Sequence, residues 1–144
     1  MNDKIVNNAL QIKPNYICIV PENRKEITTE GGLNLTKNKK RLNTIIEKFK
    51  KVKIRTSLFI NPTIKDIKIS KELNVDCVEI HTGRISNLVK LKKKYNTEFN
   101  RIKKSSILAN NLNIEVHAGH GLDYKTTKIL NKINEIQEFN IGHF

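Results

Sequence analysis

Ile114-Glu115-Val116-His117-Ala118-Gly119-His120-Gly121-Leu122 runs from an apolar segment straight into a histidine flanked by two glycines. A short apolar run closed by turn residues reads as a buried strand, and glycine there marks a tight exit from it. Four more apolar runs occur, at residues 16–20, 54–60, 77–80 and 139–141. The stretches between them carry helical spacing. Leu42, Ile45, Ile46 and Phe49 follow the i, i+3, i+4, i+7 pattern of one buried face, and Ile129, Leu130, Ile133 and Ile136 read the same way. Asn61-Pro62 reads as a helix cap followed by proline at the first helical position. Asn96 reads as the cap of a helix through Phe99, Ile102 and Leu108. The interval 84–112 has room for a short extra helix before it, and residues 3–12 read as a helix leading through Pro14 into the first strand.

Strands alternating with helices predict an α/β fold with a parallel sheet. One domain over residues 1–144 is expected, since no glycine- or proline-rich linker interrupts the chain. The order helix-β-α-β-α-β-α-β-α-β stops almost on the last strand, where a parallel strand normally feeds a covering helix. Five strands also fall short of the eight that close a barrel of ~250 residues. A truncated (β/α)8 barrel, stopping short of its final helix, is therefore expected in preference to an open doubly wound sheet.

Composition narrows the function classes. The apolar share of 38% is low but enough for a globular core. No stretch approaches the ~18–20 apolar residues of a membrane span, and no signal-peptide pattern opens the chain. Cys18 and Cys77 are too few and too far apart for a disulfide framework or a zinc motif. They read as buried free thiols in a reducing cytoplasm. The net charge of +13 invites a nucleic-acid reading. However, Lys, Asn and Ile dominate the chain and glycine is down to six, the mark of A/T-rich coding. The basic runs, at 37–41, 48–53 and 90–94, fall in helix-like segments with few aromatics between them, so no stacking platform for RNA is visible. Solvated helix faces explain them better, and no nucleic-acid or membrane partner is expected.

The chemistry gathers at one edge. Every glycine stands at or just beyond the C-terminal end of a predicted strand: Gly31 and Gly32, Gly83, Gly119 and Gly121, and Gly142. The four histidines, His81, His117, His120 and His143, lie in the same kind of place. Barrels and open α/β sheets build their sites on that edge, and glycine there lets backbone N–H groups approach an anion such as phosphate. Thr28, in Thr28-Thr29-Glu30-Gly31-Gly32, either donates to an anion or caps the next turn. Glu79 sits mid-strand in an apolar run, where an unpaired carboxylate is costly. It either pairs with a structural cation or faces the ligand cavity, and the cavity is favoured. His120 has little side-chain packing between its glycines and reads as a site residue, whereas His117 reads as a packed, hydrogen-bonded histidine. Four histidines on one edge raise a metal-dependent hydrolase. Yet His117 and His120, three apart on an extended strand, point to opposite faces and lack the i, i+4 spacing of a zincin. No metal is expected.

Taken in order, Cys18-Ile19-Val20-Pro21-Glu22, Ile27-Thr28-Thr29-Glu30-Gly31-Gly32-Leu33, Ser57-Leu58-Phe59-Ile60, Glu79-Ile80-His81-Thr82-Gly83, Ala118-Gly119-His120-Gly121-Leu122 and Asn140-Ile141-Gly142-His143 resemble the pyridoxine 5′-phosphate synthase family over nearly the whole chain. The resemblance implies a TIM barrel of which strands four to eight are present. It implies condensation of 1-deoxy-D-xylulose 5-phosphate with 3-amino-2-oxopropyl phosphate, with no metal or organic cofactor, by a cytoplasmic homo-oligomer. By the family pattern Thr28, Gly142 and His143 hold substrate phosphate and Gly121 adds a backbone donor. Glu79 stabilises addition and dehydration intermediates, and His120 is a late proton donor. Departures accompany the match. Asn61 replaces the family's usual Asp and is read as a cap in the same role, and His117 stands where Asn is common. The Asn-x-Asp-His, His-Leu-Arg and Asn-Leu-Glu-Met segments have no counterpart. Two other readings follow: an inactive fragment or split-gene remnant that binds phosphate, and a basic RNA-binding domain.

Overall fold

The computed structural model describes residues 2–22 and 31–142. Strands β1 (Tyr16–Ile19), β2 (Arg55–Ile60), β3 (Cys77–His81), β4 (Glu115–Gly119) and β5 (Ile136–Asn140) alternate with helices. The helices are α1 (Asp3–Ile12), α2 (Leu35–Lys51), α3 (Ile64–Glu72), α4 (Gly83–Lys90), α5 (Asn96–Asn111) and α6 (Tyr124–Leu130). All four pairings are parallel, and the strands lie in the sheet in chain order, β1-β2-β3-β4-β5. A right-handed crossover that always steps to the next strand keeps every helix on one face. A doubly wound sheet reverses its order partway. This sheet does not, and it is not closed, so its order is that of a partial barrel.

The two faces follow from the period of two along each strand. Ile19, Leu58, Ile60, Val78, Ile80, Val116 and Ala118 share the face that packs on Leu42, Ile46, Phe49, Ile67 and Ile102 of the helices. Each buried Leu, Ile, Val or Phe among them contributes roughly 1.5–3 kcal/mol, so this face holds the helices. The other face carries Tyr16 and Cys18, Arg55, Ser57 and Phe59, Cys77, Glu79 and His81, and Glu115 and His117. In a closed barrel it would be the interior.

Helix ends account for much of the local design. Asn34, Thr63 and Asp123 cap α2, α3 and α6 through side-chain oxygens that accept from Lys37, Asp66 and Thr126 N–H. At the other ends Lys53, Asn74, Lys92 and Asn113 adopt φ of 52–60°. After each of these residues the next N–H bonds back into the last helical turn, as in Ile54 N to Phe49 O at 3.0 Å and Ile114 N to Ala109 O at 2.9 Å. These are Schellman stops without glycine.

Several expectations change. The cap of α3 is Thr63, not Asn61, because Asn61 turns its Oδ1 to accept from Gly32 N–H at 3.0 Å. Tyr95 occupies the N-cap of α5, and Asn96 is its first residue. Ile136 belongs to β5, since α6 stops at Leu130 and Ile133 packs from the intervening turn. Short spacing let one pattern run across both elements. Of the basic run 90–94, only Lys90 is helical. No helix among the described residues is long and apolar enough to cross a membrane.

Candidate active site

Residues of β2, β3 and β5, with the segments after β1 and β4, border an open cavity of about 660 Å3. Gly31, Phe59, Glu79, His120, Asn140 and Gly142 line it. Glu79 reaches it from mid-β3. Its Oε2 accepts from Asn140 Nδ2 at 2.8 Å and from the Cys18 thiol at 3.5 Å. No cation neutralises it among the described residues. Burial, first, and then the neighbouring Glu79 charge push the Cys18 thiol far above its ordinary range, so it remains a neutral donor.

His120 lies beyond the end of β4 with φ 80°, a conformation a non-glycine residue holds only under constraint. Thr82 supplies part of that constraint. Its N–H donates to Gly119 O at 2.9 Å, and its hydroxyl lies 2.8 Å from both the Gly119 and His120 carbonyl oxygens. The imidazole is not loosely held, contrary to the sequence reading. It stacks on His81 with ring centroids 4.7 Å apart, and His81 meets the Phe59 ring edge-on. Gly83 makes the stack possible, because a Cβ there would fall 2.8 Å from both imidazoles. The positive φ also cancels the strand alternation expected of His117 and His120, and His120 shares a cavity with Glu79 on the face that carries His117.

His117, the register partner of Glu79 on β4, is buried in a second polar array. Its Nε2 lies 2.7 Å from Glu115 Oε1, and its Nδ1 lies 3.2 Å from the Tyr16 hydroxyl. A carboxylate only accepts, so Nε2 carries the proton, and in the neutral ring Nδ1 accepts from Tyr16. Burial holds the Tyr16 hydroxyl well above its ordinary range and therefore protonated. Arg55 completes the array by donating to Glu115 Oε2 at 2.7 Å and to Cys77 Sγ at 3.3 Å. Ligand atoms of Cys77, Glu115 and His117 all lie within 4.8 Å of one another. Yet the Arg55 guanidinium touches two of the three, and burial pushes the Cys77 thiol up to about 11. With the guanidinium donating to two of them, these side chains form an ion-paired floor on this face of the sheet.

Glu79, His120 and Gly142 are thus brought to one cavity. Gly121, with φ 71°, follows His120 and packs beside Ser86 rather than lining the cavity. Thr28 and His143 lie outside the described residues. Sequence reasoning gave Asn140 no role of its own and quoted it only within Asn140-Ile141-Gly142-His143. Phe59 and His81, quoted within motifs, likewise had none until their rings were seen to support His120.

The family model described as "Pyridoxal phosphate biosynthesis protein PdxJ" matches residues 1–144. A Pelagibacter ubique protein named pyridoxine 5′-phosphate synthase is 66% identical over 144 residues, covering 100% of this chain and 60% of that protein. Proteins of the same name from Bdellovibrio bacteriovorus and Prochlorococcus marinus are 40% and 45% identical, each over 97% of this chain and 57% of their own length. The chain therefore spans under two thirds of the length of these curated relatives.

Proposed function

Because the chain belongs to the PdxJ family of pyridoxal phosphate biosynthesis proteins, we propose that it forms the greater part of a pyridoxine 5′-phosphate synthase. The reaction is the condensation of 1-deoxy-D-xylulose 5-phosphate with 3-amino-2-oxopropyl phosphate, releasing inorganic phosphate and water. The observation that carries the reading is the meeting of Glu79, His120 and Gly142 at the walls of one cavity at the strand ends.

Each residue has a chemical task in this proposal. The amine of one substrate adds to the carbonyl of the other, and the adduct must lose water before the ring closes. Glu79 offers a carboxylate, placed in a partly desolvated pocket, to hold and relay protons of those intermediates. His120, on its exposed turn, is the proton donor of a later step. Thr28, Gly142 and His143 bind phosphate, and the backbone N–H of Gly121 is a further donor. No metal or organic cofactor enters this scheme.

Steady-state kinetics on the full-length enzyme test it. Gly142→Val fits sterically, since nothing lies within 4 Å of a Cβ placed there. It is expected to raise the KM for a phosphorylated substrate at least tenfold while leaving stability within about 0.5 kcal/mol. Glu79→Gln is expected to lower kcat by about 10²-fold or more with little change in KM. Intact affinity in the first variant, together with weakened binding alone in the second, overturns the assignment. The 144-residue chain by itself is expected not to turn over both substrates, because groups that act as a unit fail together when some are removed. Product formed by that chain alone refutes this.

A further inference from the structure

The two oxygens of Glu79 are held in different ways. Oε2 receives both donors, Asn140 Nδ2 from β5 and the Cys18 thiol from β1. Among the described residues no donor reaches Oε1. It lies instead over Gly119, where an added Cβ would stand 2.0 Å from it. The register explains how the three strands converge, since Gly119 pairs with His81 of β3 on one side and with Asn140 of β5 on the other. The carboxylate crosses the gap that Gly119 leaves and meets the Asn140 amide on the far strand.

We propose that Asn140 is the positioning residue of Glu79, anchoring Oε2 with help from Cys18 so that Oε1, admitted by the bare backbone of Gly119, is the oxygen that meets the reacting groups. Asn140 does not itself exchange protons. A neutral amide donor on one oxygen fixes the carboxylate plane and leaves the other oxygen free as an acceptor. Cys18 assists without competing, because a half-buried thiol that stays protonated adds no second negative charge. The kinetic part of this proposal rests on the role given to Glu79 above, whereas the geometry of the anchor does not.

The test uses the full-length protein and two substitutions at position 140. Asn140→Leu keeps the branched shape, at somewhat larger volume, and removes the donor, whereas Asn140→Ser loses volume and keeps a hydroxyl donor. Anchoring predicts the kcat order parent, Ser, Leu, with the Leu variant down at least tenfold and KM within threefold. A packing role predicts the reverse order for Ser and Leu. Isotope-edited infrared spectroscopy gives an independent reading. The carboxylate stretch lost in Glu79→Gln identifies Glu79, and in Asn140→Leu that band is expected to move and broaden as the group begins to rotate. If Asn140→Leu does not fold, Cys18→Ala is expected to produce the same change at smaller amplitude. A Glu79 band unchanged in every folded variant overturns the proposal. Full activity in Glu79→Gln, with a band that still responds at position 140, overturns the function assigned to Glu79 and leaves the anchor standing.

Discussion

Lys53, Asn74, Lys92 and Asn113 hold positive φ just past helix ends, where glycine is the usual residue. Most of the few glycines stand instead around the cavity and the His81–His120 stack. Gly31, at φ 112°, lies against His81, and Gly119 makes room for Glu79. A chain poor in glycine has thus kept it where a side chain would collide with the site, and accepted strain where it would only have eased a turn. That strain can be relieved. A non-glycine left-handed residue costs about 1–2 kcal/mol, and the looser unfolded state of glycine offsets about 0.5–1 kcal/mol of the gain. Lys53→Gly is therefore expected to stabilise the full-length protein by about 0.5–1 kcal/mol, read as a higher urea midpoint at unchanged slope. The clustering of glycine and histidine was legible in the sequence because it is a matter of composition and position. The contacts were not. Whether Asn140 touches Glu79 depends on which strands become neighbours, and no local pattern states that.

At the level of elements, periodicity placed β1 to β4 to within a residue or so, because long helices separate them. It failed between α6 and β5, where a seven-residue helix and a short turn leave too few residues for the two periods to part. The polar floor shows what the strands add together. Tyr16, Arg55, Cys77, Glu115 and His117 come from β1 to β4 and meet only in register. Hydrogen bonding from His117, and then from Arg55, holds the Glu115 carboxyl below its ordinary range. A lowered folded-state value stabilises the protein above the ordinary carboxylate pKa, and the contribution is lost as pH falls through the folded one. Glu115→Gln is accordingly expected to lower stability at neutral pH. Its deficit should shrink as pH drops below about 4.5, the ordinary value. Denaturation midpoints between pH 3 and 7 check this, and a deficit constant across that range contradicts it. Glu115 is partly exposed, so solvent screening keeps the effect small.

For the molecule as a whole, β1 and β5 each pair with a single strand among the described residues, and the sheet stays open. Unpaired strand edges template association. The 144-residue chain is expected to aggregate or remain molten by itself. It should become soluble when co-expressed with the remaining length of the relatives it matches. Sharp cooperative unfolding of a dilute monomer would count against this.

The sequential strand order also sets a schedule. Each strand pairs only with the one before it and the one after it, so no pairing has to wait for a distant segment. Cys77 pairs back to Ser57 and forward to Glu115, and the second loop is about twice the first. Doubling a loop adds only about 0.6 kcal/mol of closure entropy, so neither step is an obstacle, and the sheet can assemble in the order in which a ribosome delivers it. Asn140 arrives on the last of the five strands. Glu79 emerges much earlier and acquires its amide partner only when β5 docks, so a chain arrested before that point would carry the carboxylate without its anchor.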